Sequence, residues 1–147
     1  MRGDDRAELT IGRLGRMTLL PGYYLYVGSA FGPGGVQARV RRHARVNKPR
    51  RWHIDYLRAA AELLEVWYAC GETRREREWV RRLSRWPGIA VPLRGFGASD
   101  DPGHSHLFYL ENQPSFDAIG QALPDAGEPL LRWLNPPPDA PGRSAPA

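Results

Sequence analysis

The order of elements along this chain predicts an α+β fold, a small antiparallel or mixed sheet covered by helices. Two observations carry that expectation. Short aromatic and aliphatic runs with strand character, at 23–27, 64–70 and 105–111, are interleaved with stretches of helical period. Glycine and proline mark the turns between them. At 147 residues the chain is one domain, long enough for a single sizeable core.

Residues 8–20, "ELTIGRLGRMTLL", read as short strand pieces broken by Gly12 and Gly15. The next strand, Tyr23–Val27, puts Tyr24 and Tyr26 on one face and Tyr23, Leu25 and Val27 on the other. "GSAFGPGG" (28–35) is a glycine-rich turn, after which a helix starts near Val36 and ends before Pro49. Residues 51–64 read as a second helix, with Ile54, Leu57, Ala61 and Leu64 on one stripe. "LEVWYAC" (64–70) is a strand bounded by Gly71, and Thr73–Trp86 a third helix closed by Pro87 and Gly88. Residues 91–104 are loop and 105–111 a last strand. Beyond residue 112 the chain reads as an extension, 113–147, with a short helix around Pro129–Leu134 and a Pro-rich, disordered tail over 135–147.

No run reaches the ~18 apolar residues of a membrane helix, and "MRGDDRAE" lacks the apolar centre of a signal peptide. Cys70 is the only cysteine, which excludes an intrachain disulfide and a cysteine-based zinc site. A soluble cytoplasmic protein is expected. The net charge is +5, but it is unevenly spread. Residues 1–111 carry 19 basic against 12 acidic groups, and residues 112–147 carry 2 against 4. Between positions 39 and 51 lie seven cations and no acid: Arg39, Arg41, Arg42, Arg45, Lys48, Arg50 and Arg51. Such a block is a solvated face or a polyanion site, and the overall charge favours nucleic acid.

Helical phase adds a positional clue. With residues 36–46 at about 100° per residue, Val36, Val40 and Val46 define an inward face that also contains Arg39 and His43. On the third helix Trp79, Val80 and Leu83 set the inward face, Glu76 joins it one turn earlier, and Glu78 points outward. An inward Arg, His and Glu on separate helices either share a site or form a partly buried ion pair such as Glu76–Arg39. His53 opens the second helix as a cap, surface or site residue. His104 and His106, two apart, fall on one face of a strand and with Asp100 and Asp101 form a weak metal motif.

"YVG" (26–28), the glycine turn, "ARVRRH" (38–43) and the later inward glutamate resemble the GIY-YIG nuclease superfamily. The wider string "GRLGRMTLLPGYYLYVGSAFGPGG", "ARVRRHARVNKPRRWHIDYL", "RREREWV" and "GFGASD" followed by "SHLFYL" is similar to its Uri-type endonuclease branch, some members of which are fused to a DNA-repair glycosylase. The resemblance covers about residues 10–110. It implies a small, mainly antiparallel sheet flanked by helices and a divalent-metal-dependent endonuclease, with DNA or another nucleic acid as substrate and a DNA-repair enzyme as associate. Tyr26 then matches the second signature tyrosine, Gly28 the glycine after it, Arg39 the helix arginine, His43 the histidine one turn later, His53 a following histidine, and Glu76 the ligand of Mg²⁺ or Mn²⁺.

Three departures stand out. The first signature strand, with its Gly-x-Tyr motif, belongs just before residue 8, where "MRGDDRA" does not supply it. Ser99, Asp100, Asp101, Pro102 and Gly103 replace the family's Ser-Asp-Cys-x-Cys loop, and no counterpart of a late asparagine is visible. Phosphodiester hydrolysis needs an activated water and charge neutralisation at the phosphoryl oxygens. On this reading Arg39 offers a fork to the phosphate, Tyr26 positions or deprotonates the water, His43 or His53 acts as base, and the run 39–51 (Arg41, Arg42, Arg45, Lys48, Arg50, Arg51) tracks the backbone. A catalytically inactive nucleic-acid-binding module of the same fold is the alternative, and a protein-interaction domain a third reading.

Overall fold

The computed structural model describes residues 1–101, 103–123, 127–134 and 136. Its elements in chain order are β1 (Arg2–Gly3), β2 (Ala7–Ile11), β3 (Gly15–Leu19), β4 (Gly22–Tyr26), α1 (Gly35–Ala44), α2 (His53–Arg58), β5 (Glu65–Tyr68), α3 (Glu76–Leu83), β6 (Leu107–Leu110), α4 (Phe116–Ala122) and β7 (Leu131–Leu134). The fold is α+β, as expected, with antiparallel pairing throughout. The central sheet runs β1-β4-β6, while β2-β3 is a hairpin and β5-β7 a second pair.

β4 is central because its alternation is apolar on both sides. Tyr24 and Tyr26, opposite Tyr109 and Leu107, pack against Ile11, Met17 and Leu19 of the hairpin and Ile54 and Leu57 of α2. Leu25 and Val27, with Phe108, face Val80 and Leu83 of α3 and Ile119 and Leu123 in and after α4. The sheet is thus buried between two apolar clusters. Tyr24 is fully buried, and its hydroxyl accepts from the Leu20 N–H at 2.8 Å and donates to the Leu20 carbonyl at 3.1 Å. The tight corner Leu20–Pro21–Gly22 is pinned by that phenol.

The edge beside β4 is held by β1, which has two residues and no tyrosine. The Arg2 backbone also exchanges two 2.9 Å hydrogen bonds with Glu62 on its other side. That exchange explains why α2 ends at Arg58 and does not run over 51–64. Ile54, Leu57 and Ala61 are buried as their stripe required, but Glu62 is drawn away to pair with Arg2. Arg58, itself buried, donates to the carbonyls of His43, Ala44 and Ala61, so it caps the C-terminus of α1 and fixes the turn after α2.

Residues 131–134, expected to be helical, form strand β7, whose partner β5 meets it through an ion pair from Arg132 Nε to Glu65 at 2.5 Å. Pairing with a waiting edge overrides local propensity here. The helix beyond residue 112 is α4, with Ser115 as its N-cap, the hydroxyl accepting from the Ala118 N–H at 3.3 Å. Ile119, Leu123 and Leu130 therefore enter the second apolar cluster, and β7 pairs with β5. The Pro-rich tail expected to be disordered lies, except for Pro136, outside the described residues. Among the described residues no helix is long and apolar enough to cross a membrane.

Candidate functional site

Tyr26 ends β4, and the chain then turns through Gly28 toward α1. A side chain at 28 would stand 3.2 Å from Arg39 Nη2 and 3.3 Å from Tyr26 Cε1. The missing Cβ is what lets the Arg39 guanidinium close over the strand end onto the phenol. Burial pushes the Tyr26 pKa up; the Arg39 charge and hydrogen bond pull it down, and the Glu76 charge opposes them. The net shift is upward, so the phenol stays protonated at neutral pH and is a donor and positioner rather than the base.

His43 lies edge-on to Tyr26, ring centroids 6.0 Å apart. Burial, then the charges of Arg39 and Lys48, lower its pKa to about 3, and neither ring nitrogen has a hydrogen-bond partner. It is a neutral imidazole with a vacant acceptor beside the phenol. The inward face of α1 is formed by Val40 and Ala44. Val46, expected on it, lies past the helix end and is 51% exposed.

His53 plays a different part. Its Nδ1 accepts from the Gly97 N–H at 2.9 Å and its ring packs on Phe96 at 5.6 Å. With Nδ1 accepting, the neutral ring carries its proton on Nε2, and burial lowers its pKa. Gly97, at φ +73°, has Tyr26 Cε2 and His106 Cβ each 3.1 Å from where a Cβ would sit. His53 thus positions the loop that backs the Tyr26 ring, and it does not line the cavity that the other candidates share.

That cavity, about 470 Å³, is bounded by Tyr26, Gly28, Arg39, His43 and Glu76, and extends between β4 and β5. Glu76, the first residue of α3, has no arginine or lysine ion-pair partner among the described residues. Its carboxylate Oε1 stands 3.6 Å from His106 Nδ1. Glu78 points to solvent, gripped by Arg81 at 2.6 Å and Arg82 at 2.8 Å, and those hydrogen bonds hold its pKa at about 2. The helical-face distinction between the two glutamates is therefore present in three dimensions.

The two late histidines separate instead of sharing a strand face, because β6 begins only at Leu107. His104 is exposed and pairs with Asp101 at 2.8 Å, while His106 faces Glu76. No group of three His, Cys, Asp or Glu side chains converges among the described residues. A closed protein-ligated zinc site does not fit this donor set. One carboxylate on a cavity wall fits a hard cation that keeps most of its waters and is completed by a substrate phosphate.

The basic run divides in two. Asp55, 2% exposed, receives Arg42 Nη2 at 2.6 Å, Lys48 Nζ at 3.2 Å and the backbone N–H groups of Arg51 at 2.9 Å and Trp52 at 3.0 Å. Burial raises its pKa, but the Arg51, Trp52 and Lys48 bonds outweigh that and leave it lowered. Arg42 and Lys48 are therefore structural partners of a buried carboxylate, not backbone-tracking cations. Arg41, Arg45, Arg50 and Arg51 are exposed. Sequence reasoning passed over Asp55, although an acid three residues after the helix-preceding Trp52 has capping-box spacing. It also passed over Trp52, whose ring has Arg39 at 4.6 Å, Arg42 at 4.3 Å and His43 at 5.8 Å. Its contacts come from the closure of the 45–52 loop, which periodicity does not encode.

Over residues 1–127 the chain matches the model of a family described as Domain of unknown function DUF123. No curated protein and no solved structure matches it.

Proposed function

From a chain that belongs to the DUF123 family, and from the site just described, we infer a divalent-metal-dependent endonuclease of GIY-YIG, Uri-like type that hydrolyses nucleic-acid phosphodiester bonds. The observation that carries the reading is the approach of Arg39 to Tyr26 across Gly28, in a cavity that also presents Glu76. A planar cation, a hydroxyl donor and one carboxylate at a common wall suit the charge neutralisation and water positioning that phosphoryl hydrolysis needs.

Arg39 holds two phosphoryl oxygens. Tyr26, kept protonated by burial, donates to the attacking water or to a phosphoryl oxygen. His43, neutral and unpartnered, accepts from water at the phenol. Glu76 is the residue that would hold Mg²⁺ or Mn²⁺, which would supply charge neutralisation and acidify bound water. Exposed Arg41, Arg45, Arg50 and Arg51 follow the backbone without reading sequence. By the same resemblance the activity belongs to DNA repair.

One observation favours an inactive binding module instead: both candidate bases, His43 and His53, have lowered pKa values, which makes them weak bases. The deciding experiment incubates plasmid DNA and oligonucleotides with the protein and Mg²⁺ or Mn²⁺. The nuclease reading expects metal-dependent cleavage that Glu76→Gln removes. Binding without cleavage under either metal overturns it in favour of the module.

A further inference from the structure

We propose that Trp52, within the Arg39–Arg42–His43 surround, is a stacking platform for an unpaired base, so that the site takes single-stranded nucleic acid. This rests on the endonuclease reading and names its substrate class. Trp52 is a large apolar side chain left 39% exposed at the rim of a buried polar cluster. Its backbone N–H, and not its indole, bonds the buried Asp55 carboxylate.

Two guanidinium groups lie over the indole ring. Arg42 lies 4.3 Å from its centre and cannot swing away, because its guanidinium is tied to buried Asp55 at 2.6 Å. Arg39 lies 4.6 Å from the same ring and also reaches Tyr26 across Gly28. One guanidinium therefore links the aromatic surface to the atoms assigned to the phosphate. Planar aromatic and guanidinium groups stack on any base, since every base has a π-face. A base inside a duplex is not available to such a surface without unstacking, which costs a few kcal/mol. Exposed Arg50 and Arg51 precede Trp52 in the chain and supply charge for the strand's phosphates.

The test measures binding of a fluorescent oligothymidylate and of a matched duplex in the absence of divalent metal, so its outcome does not depend on cleavage. Wild type binds the single strand more tightly than the duplex. Trp52→Ala weakens single-strand binding about 5- to 150-fold, the span of one lost base stack, and leaves duplex binding nearly unchanged. Trp52→Phe retains most of the affinity because a π-face remains. Oligothymidylate quenches indole fluorescence in wild type, and that quenching is lost in Trp52→Phe. Equal affinity for both substrates, or equal quenching in wild type and Trp52→Phe, overturns the proposal. Stacking without cleavage would overturn the nuclease reading alone; cleavage without a Trp52 effect would overturn this inference alone.

Discussion

Glu76 Oε1 and His106 Nδ1 face one another at 3.6 Å, across the space between the start of α3 and the segment entering β6. His106 gives Glu76 a directional neighbour that neutral Gln at 76 retains in shape but not in charge. The expected outcome is that Glu76→Gln abolishes metal-dependent cleavage with little change in fold. Glu78→Gln, at a solvent-facing pair with Arg81 and Arg82, leaves most of it. Equal losses in the two variants would refute the assignment.

The three tyrosines of β4 separate under Tyr→Phe. Tyr26→Phe lowers cleavage by about 100-fold or more, the scale of a lost proton-transfer or positioning group, with stability near wild type. Tyr24→Phe acts on stability instead. It strips the Leu20 N–H and carbonyl of their partner, at about 1–3 kcal/mol, and leaves cleavage by the folded fraction intact. Tyr23→Phe changes neither. Thermal melts and single-turnover rates on the three variants check this.

His43 makes stability depend on pH in a stated window. Its folded pKa of about 3 lies below the ordinary 6.5. Protons therefore bind the unfolded chain first, and this histidine's contribution is fully present above about pH 6.5 and declines as pH falls toward 3. His43→Gln flattens stability over that interval. A urea-melt series from pH 7 to pH 4 that shows the same slope in both proteins would count against a buried neutral imidazole.

Salt dependence separates the exposed arginines from the two cations held by Asp55. If Arg41, Arg45, Arg50 and Arg51 each neutralise a phosphate on duplex DNA, log K falls against log salt with a slope of about −3.6. Arg50→Ala with Arg51→Ala makes that slope shallower by about 1.8. Lys48→Met leaves the slope unchanged and lowers stability, because Asp55 loses a buried partner. A shallower slope in Lys48→Met would return that lysine to the binding surface.

Much of the site was legible because an element's phase dictates which side of it a residue occupies. Period two separated Tyr24 and Tyr26 from Leu25 and Val27, and the two sets enter different apolar clusters. Helical phase put Arg39 and His43 on one side of α1 and chose Glu76 over Glu78 on α3, and all three chosen residues reach one cavity. Phase does not say what the other side of the contact will be. Arg42 and Lys48 looked like members of a uniform basic run until the chain folded Asp55 beneath them. His104 and His106 looked equivalent until β6 began only at Leu107, leaving His104 beside Asp101 and His106 beside Glu76. Residues 131–134 looked helical until the β5 edge offered backbone partners. Sequence alone determined the faces, through short-range geometry that each residue carries with it. Tertiary structure decided the partners, because burial of a charge or an open strand edge makes a distant group cheaper to bind than water.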